Sequence, residues 1–552
     1  MRVETYFNHH GLVQNPFDAE EARHDPVFER LTDDSPGHPD FAKIFGQIDN
    51  PTTSVVFGEK GSGKTAIRLL IGRRIDAHNA QNPDQRMLLV AYDDLDPLID
   101  RVVSHQRSYG VSRAGRSEER LLESIRLEDH QDAILSLAVT QLVDWMVQSD
   151  DRATPNRSNK SPAPGRSAVP PGKDASRPAA IALPRRRVRK IPRRARVDLA
   201  VLAALYDQPL SGTAQSRWSN LCSKLRLRRL PAMAILSITA IAVTLTAAGL
   251  LIAGFVALQM QGDQAATGLG TVWLYPSGSV LAALSVILWA AWCTRHVKLW
   301  RLVRKIHKQM PAIERSRGEL KVMLLQLRRS DLAGQPWPVG GVDSRKCRYE
   351  LTSQLLRVLE SLGFAGVLVL VDRVDEPTLV GGDAERMRRI VWPMLDNKFL
   401  QQNRVGVKLL LPIELRHMLL RETAQFFQEA RLDKQNLIDR LVWSGSMLYD
   451  LCSARFRACR RAATEGGDGS KTDASLMDLF DQDVSRDLIA DALDAMQQPR
   501  DAFKFLYSVI QEHCRLVADD QPVYRISRVT VETVRRNQAQ RVQDFQRGLG
   551  PG

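Results

Sequence analysis

The chain has six cysteines, at 222, 293, 347, 452, 459 and 514, and no two of them form a C-x-x-C pair. This scatter argues against a zinc knuckle or a disulfide framework and fits reduced, buried thiols in a cytosolic setting. The opening stretch MRVETYFNHHGLVQNPF lacks an apolar run long enough for a secretory signal peptide. No segment repeats at a fixed period, which argues against a solenoid or a propeller. Acidic residues are the minority charge, 63 Asp+Glu against 77 Lys+Arg. Much of the basic excess is local, in LPRRRVRKIPRRARVD (Leu183–Asp198). With 552 residues, the chain has room for roughly two to four domains.

Charge is missing altogether from two long stretches. Pro231–Met260 carries none, and neither does Trp273–Cys293. Each reaches the ~20 residues that a helix needs to cross the hydrocarbon of a bilayer. Trp273, Tyr275, Trp289 and Trp292 stand near the ends of the second, where amphipathic rings favour the interface. Basic residues flank the pair, in KLRLRRL (Lys224–Leu230) and TRHVKLWRLVRK (Thr294–Lys305), while the loop between them has only Asp263 as a charge. Basic flanks stay on the cytoplasmic side. The expectation is a transmembrane hairpin in the cell's inner (plasma) membrane, with both large regions of this multi-pass chain cytoplasmic.

What the sequence does contain begins with VVFGEKGSGKTAIRLL (Val55–Leu70). Gly58-Glu59-Lys60-Gly61-Ser62-Gly63-Lys64-Thr65 fits the phosphate-loop pattern G-x-x-x-x-G-K-[ST]. Glycines let backbone N–H groups turn inward and approach phosphates with no Cβ in the way. Lys64 can reach the terminal phosphates, and the Thr65 hydroxyl can serve Mg²⁺. An apolar strand precedes the motif, and a stretch with helical spacing follows it.

Such a loop needs an acid to hold the metal. The best candidate lies about 300 residues on, in FAGVLVLVDRVDEP (Phe364–Pro377). Val367–Val371 reads as a central strand buried on both faces, with Asp372 at its carboxyl end, where open α/β sheets place ligands. Asp372 would hold Mg²⁺ together with Thr65. Asp375 and Glu376 follow on the next turn, and Glu376 is the first candidate for the base that orients water, with Asp375 in reserve. AYDDLD, at the end of the strand MLLVAYDDL (Met87–Leu95), is the fallback source of the acid.

These residues resemble the signal-transduction ATPases with numerous domains, including the NACHT and KAP families. NACHT proteins carry an apolar strand followed by D-G-x-D-E, and Asp372-Arg373-Val374-Asp375-Glu376 departs from it by Arg373 for Gly. KAP ATPases insert transmembrane helices between the two nucleotide motifs, as this chain does. The resemblance spans about residues 15–461 and is specific at the two motifs. It implies a three-layer P-loop NTPase core with a parallel sheet, interrupted by the hairpin and followed by a helical or winged-helix-like lid. It also implies ATP with Mg²⁺ as ligands and a nucleotide-driven switch as function. By the same likeness, QNPF (Gln14–Phe17) would lie near the base, and Pro412, Glu414 or Arg416 would stand at a γ-phosphate sensor position. Arg440 reads as a solvated arginine rather than a finger, and Arg500, opening a helix after Pro499, would face the nucleotide.

The expected organisation is therefore an N-terminal part of the core at 1–149 and a disordered basic linker at 150–196. Helices with the hairpin (231–260 and 273–293) occupy 197–330. The core's C-terminal part covers 345–461, and the lid 470–552. One helix is expected over Ser117–Ser149, capped by Ser117, and a basic helical extension of the second span runs on toward DLAGQPWPVGG. The arginine run, with its basic residues at 185–196, reads as adhesion to anionic lipid rather than as a nucleic-acid surface. A partner protein is implied but unnamed, and homo-oligomers are open. The alternative function is an ATP-driven transporter, a channel component or an oligomeric membrane pore.

Overall fold

Five short apolar runs build one sheet in which every pairing is parallel: β1 (Ser54–Gly58), β2 (Arg86–Tyr92), β3 (Phe364–Val371), β4 (Val405–Pro412) and β5 (Asn436–Ile438). The spatial order is β2-β3-β4-β1-β5. The structure is a computed structural model, and it describes residues 1–18, 21–31, 37–108, 121–148, 185–208, 213–227, 232–260, 269–340, 344–460 and 475–546. Register aligns Val55 with Leu409 and Val369 with both Val407 and Val90. One strand, β4, therefore separates the strand before the glycine loop from the strand before Asp372.

Successive side chains of a strand point to opposite faces, and both faces here are covered. Val55, Phe57, Val90, Val369 and Leu409 meet the helices Leu127–Gln148, Arg193–Tyr206 and Ser344–Ser361. Val56, Leu89, Leu368 and Leu410 meet Ile67, Ile71 and Ile75 of the helix Lys64–Gln81. Each fully buried Ile or Val contributes about 1.5–3 kcal/mol, so this alternation fixes the three layers.

Several expectations need correction. The stretch expected as one helix over Ser117–Ser149 is interrupted: Leu121 and Leu122 are helical, the chain turns after them, and the next helix starts at Leu127, where the Asp129 carboxylate accepts from Arg126 N (2.9 Å); Ser117 and Ser149 lie outside the described residues. Residues 185–196, assigned to the linker, are helical at Arg185–Lys190 and from Arg193. Val188, Ile191 and Ala195 are buried, which explains why this segment docks. Its arginines are partly spent on protein: Arg187 on Pro83 O and Asp84, Arg193 on Asp331, and Arg196 on Ile191 O. The remainder of the linker, 150–184, lies outside the described residues.

Two helices, Ala232–Met260 and Leu269–Gln309, are long and apolar enough to cross a membrane. They pack antiparallel, with Thr244 Oγ1 2.6 Å from Ser285 Oγ and the Trp289 indole N–H donating to Thr244 Oγ1 at 3.2 Å. Gly278 lets Leu251 approach, since a Cβ there would sit 3.0 Å from the leucine side chain. The second helix does not run on as far as expected. It stops at Gln309, Pro311 follows, and a separate helix, Arg317–Leu325, starts from a capping box of Ser316 and Glu319. Its inner end is tied to the core by Arg348, which donates to Gln309 O (2.7 Å) and to both oxygens of Asp132 (3.2 and 2.9 Å). Tyr206 O–H also donates to Asp132 (2.8 Å).

A second hydrophobic cluster forms the C-terminal unit from Gly445–Cys459, Arg486–Asp494, Pro499–Leu516 and Arg528–Gln546. Tyr6, Leu12, Phe17 and Val27 are buried within it. The leading segment and the helix Gly445–Cys459 therefore pack with the lid rather than with the sheet. The expected wing is reduced to one parallel bridge, Phe480 with Ile526.

Lys408 is fully buried in the middle of β4, where its ammonium donates to Thr52 O (2.6 Å) and Ser54 Oγ (3.2 Å) and no carboxylate pairs with it. Burial lowers its pKa from 10.5 to about 7. Between those values the unfolded chain holds the proton more tightly than the native one, so stability rises with pH across that window and the burial penalty is complete below it. We predict that the thermal midpoint of the wild type, taken relative to Lys408→Met, climbs from pH 7 to 10.5, by at most about 1.4 kcal/mol per unit in stability. A flat difference across that range would contradict the assignment.

Candidate functional site

The residues after β1 turn sharply before the helix starts. Gly61 and Gly63 hold φ of 93° and 94°, values that only glycine adopts without strain. The helix Lys64–Gln81 then points its N-terminal end into a cavity of about 830 Å³. Lys64 reaches back along the loop, donating from Nζ to Gly58 O (2.6 Å) and Glu59 O (2.9 Å). Burial lowers its pKa, opposed by the charges of Asp372, Asp375, Glu414 and Glu59. Four acids thus face one ammonium.

The same cavity is lined by Thr65, Asp372, Arg373, Asp375, Glu376 and Arg500. Lys64, Thr65 and Asp372, separated by some 300 residues of sequence, converge at the carboxyl end of the sheet. Asp372 is 2% exposed and its Oδ2 has no hydrogen-bond partner. Burial raises its pKa, while Arg68 and Lys64 pull it back. An orphaned carboxylate oxygen at that depth costs free energy unless something cationic satisfies it.

Arg68 supplies part of that charge, and sequence reasoning missed it. Its guanidinium is 3% exposed, hydrogen-bonds Asp93 through Nη1 and places Nε 3.6 Å from Asp372 Oδ2. The signal was a lone arginine one turn beyond Thr65, beside the buried Ile67 and Ile71, but its role depends on contacts with β2 and β3 that no local pattern encodes. The fallback acids are otherwise engaged: Asp93 with Arg68, Asp94 with Asp96 N, and Asp96 with Thr378 N.

Several groups brace the loop. Trp443 N–H donates to Ser62 O (2.9 Å), and Glu59 accepts from Arg440 and from Gln498 (2.9 Å). Arg440 is exposed, as expected of a solvated arginine, and its guanidinium also pairs with Glu59 of the loop. Lys60 is exposed, and Ser62 is buried with an unpartnered hydroxyl. Arg500, in the first turn of Pro499–Leu516, packs on Gly61, where a Cβ would come within 3.0 Å of its own. Of the three sensor candidates, Glu414 faces Lys64 electrostatically, Arg416 pairs with Asp439 (3.6 Å), and Pro412 closes β4.

Away from the loop the cavity becomes apolar, between Phe28, Leu31, Phe41, Ile48 and Leu70. Phe17 of QNPF is not part of that wall; it is buried beside Phe503, with ring centroids 6.5 Å apart. Neither a family model, nor a curated protein, nor a solved structure matches the chain.

Removing Arg68 should leave the buried Asp372 without its ion-pair partner, with Lys64 as the remaining strong cationic influence. Arg68→Met is expected to cost about 3 kcal/mol of stability, read as a lowered thermal midpoint. Adding Asp372→Asn should return part of that loss. A single variant as stable as wild type would show that the pair carries no weight.

Proposed function

We propose that the chain is a membrane-anchored P-loop ATPase that works as a nucleotide-dependent switch on the cytoplasmic face of the cell's inner membrane. The observation that carries this reading is the buried Asp372 carboxylate, one oxygen unsatisfied, in the cavity that Lys64 and Thr65 enter from a glycine-rich loop. The donor set suits Mg²⁺, which prefers hard oxygen ligands, and Thr65 and Asp372 would hold it. Bound there, the ion would supply charge neutralisation at the phosphates. The loop from Gly58 to Thr65 would cradle the phosphates with its N–H groups, and Lys64 would leave its own carbonyls for the terminal ones. Arg500, against Gly61, would report the nucleotide to the lid. The apolar arm of the cavity suits a base, and the preference for ATP rests on the family resemblance.

Water attack on the terminal phosphorus needs a proton acceptor. Glu376 is assigned that role, with Asp375, which lies within electrostatic reach of Lys64, in reserve. A transporter or channel is the second reading. Neither Ile235–Val256 nor the stretch from Pro276 to Trp292 carries Asp, Glu, Lys, Arg or His, whereas transport pathways keep such groups, so the switch is preferred.

Detergent-purified chain should bind and hydrolyse ATP. Lys64→Ala should lose most nucleotide affinity. Glu376→Gln should keep binding and lose hydrolysis by about 10²-fold or more. If Asp375→Asn alone abolishes turnover, the base is Asp375. Wild-type protein that binds no nucleotide refutes the proposal. Separately, reporters fused at Ala266 and after Gly552 should fall on opposite sides of the membrane, and finding them on one side would remove the hairpin topology.

A further inference from the structure

Arg373 follows Asp372 with φ of 62°, in the left-handed region. A non-glycine residue there costs about 1 kcal/mol or more. Its guanidinium hydrogen-bonds and ion-pairs with Glu376, three residues on. Both partners are partly exposed, 28% and 48%, and a pair of that kind contributes about 0–1 kcal/mol. The pair therefore does little more than offset the strain that the residue introduces. Stability does not explain why an arginine stands at this corner.

Its position does. Arg373 and Glu376 line the large cavity beside Lys64 and also the smaller polar recess next to it. Other nearby cations have other partners: Arg68 pairs with Asp93 and Asp372, Arg23 stands 4.0 Å from Asp93, and Arg440 pairs with Glu59. Arg373 alone of these is held by a solvent-accessible carboxylate on its own turn, a partner that a stronger anion can displace. A terminal phosphate offers three acceptor oxygens and more negative charge than one carboxylate, and planar bidentate recognition of phosphate is what a guanidinium does best.

Resting on the nucleotide reading above, we infer that Arg373 recognises the terminal phosphate of a nucleoside triphosphate, exchanging Glu376 for it as ionic partner. Paired with Arg373, Glu376 has its oxygens engaged. Once the guanidinium turns to the phosphate, Glu376 is released at the moment a triphosphate is present. A diphosphate, one phosphoryl group shorter, leaves the resting pair intact. Arg373 is thus a specificity-determining residue, and the departure from glycine at this position has a function.

The test measures binding of ADP and of a non-hydrolysable ATP analogue to the full chain in detergent. Glu376→Gln removes the competing carboxylate, so the analogue should bind about fivefold tighter, with ADP unchanged within about twofold. Arg373→Gly relieves the backbone strain and should weaken the analogue by about tenfold while sparing ADP. In the double variant the gain from Glu376→Gln should vanish, because the group it frees is gone. Arg373→Gln should behave as Arg373→Gly, which separates loss of charge from the change in backbone. The inference is overturned if Arg373→Gly weakens both nucleotides alike, or if the gain survives in the double variant; the nucleotide site then still stands. If Lys64→Ala binds both nucleotides as tightly as wild type, the nucleotide reading itself fails.

Discussion

Strands β3 and β4 lie between β2 and β1 in the sheet, although the chain makes β1 and β2 before the apolar hairpin and β3, β4 and β5 after it. Neither half can close the sheet alone. The β1–β4 and β2–β3 pairings cross that interruption, as do the hydrogen bonds from Thr53 Oγ1 to Leu400 O and from Arg348 to Asp132. Contacts this distant in sequence are reached slowly in folding. If the two apolar helices cross a membrane, the same pairings require them to bring the chain back to the side from which it left.

The electrostatics of the site follow from this interleaving. Parallel strands end together, so their terminal acids, Asp93 and Asp372, meet at one edge and must be neutralised there. The chain answers with Lys64 and Arg68 from one helix and Arg373 from the corner itself. Lys64 and Arg68 lie one turn apart and share the acid Asp372. The loop is then held from outside by groups of distant origin, Trp443, Arg440, Gln498 and Arg500. Its shape thus depends on the C-terminal unit being docked.

The parts of this arrangement that were legible in the sequence are those with a local cause. Four of the five strands announce themselves as β-branched runs, and the two long helices by the absence of charge. Gly61 and Gly63 mark a backbone that needs positive φ, and Asp372 marks the end of a buried strand. β5 is three residues at an edge, too short for any periodicity. The break at Pro311, and the cap formed by Ser316 and Glu319, were local signals overridden by the basic pattern around them. Arg68, Trp443 and the burial of Tyr6 and Phe17 in the lid were illegible for a different reason. Their partners lie tens to hundreds of residues away, and nothing in the neighbouring sequence names them.

The helix Leu269–Gln309 is unbroken for 41 residues, a rod of roughly 60 Å at 1.5 Å per residue. The hydrocarbon of a bilayer is about half that. With its apolar part in a membrane, the remainder would extend past the lipid, packed on the core through Leu299, Val303 and Ile306. A tilt of about ten degrees at the lipid would carry the inner tip sideways by about 5 Å. That tip is where Arg348 grips Gln309 O, on the helix Ser344–Ser361 that leads directly into β3 and Asp372. In a membrane, a change of bilayer thickness would then bear on the helix that precedes Asp372, an acid outside both apolar stretches.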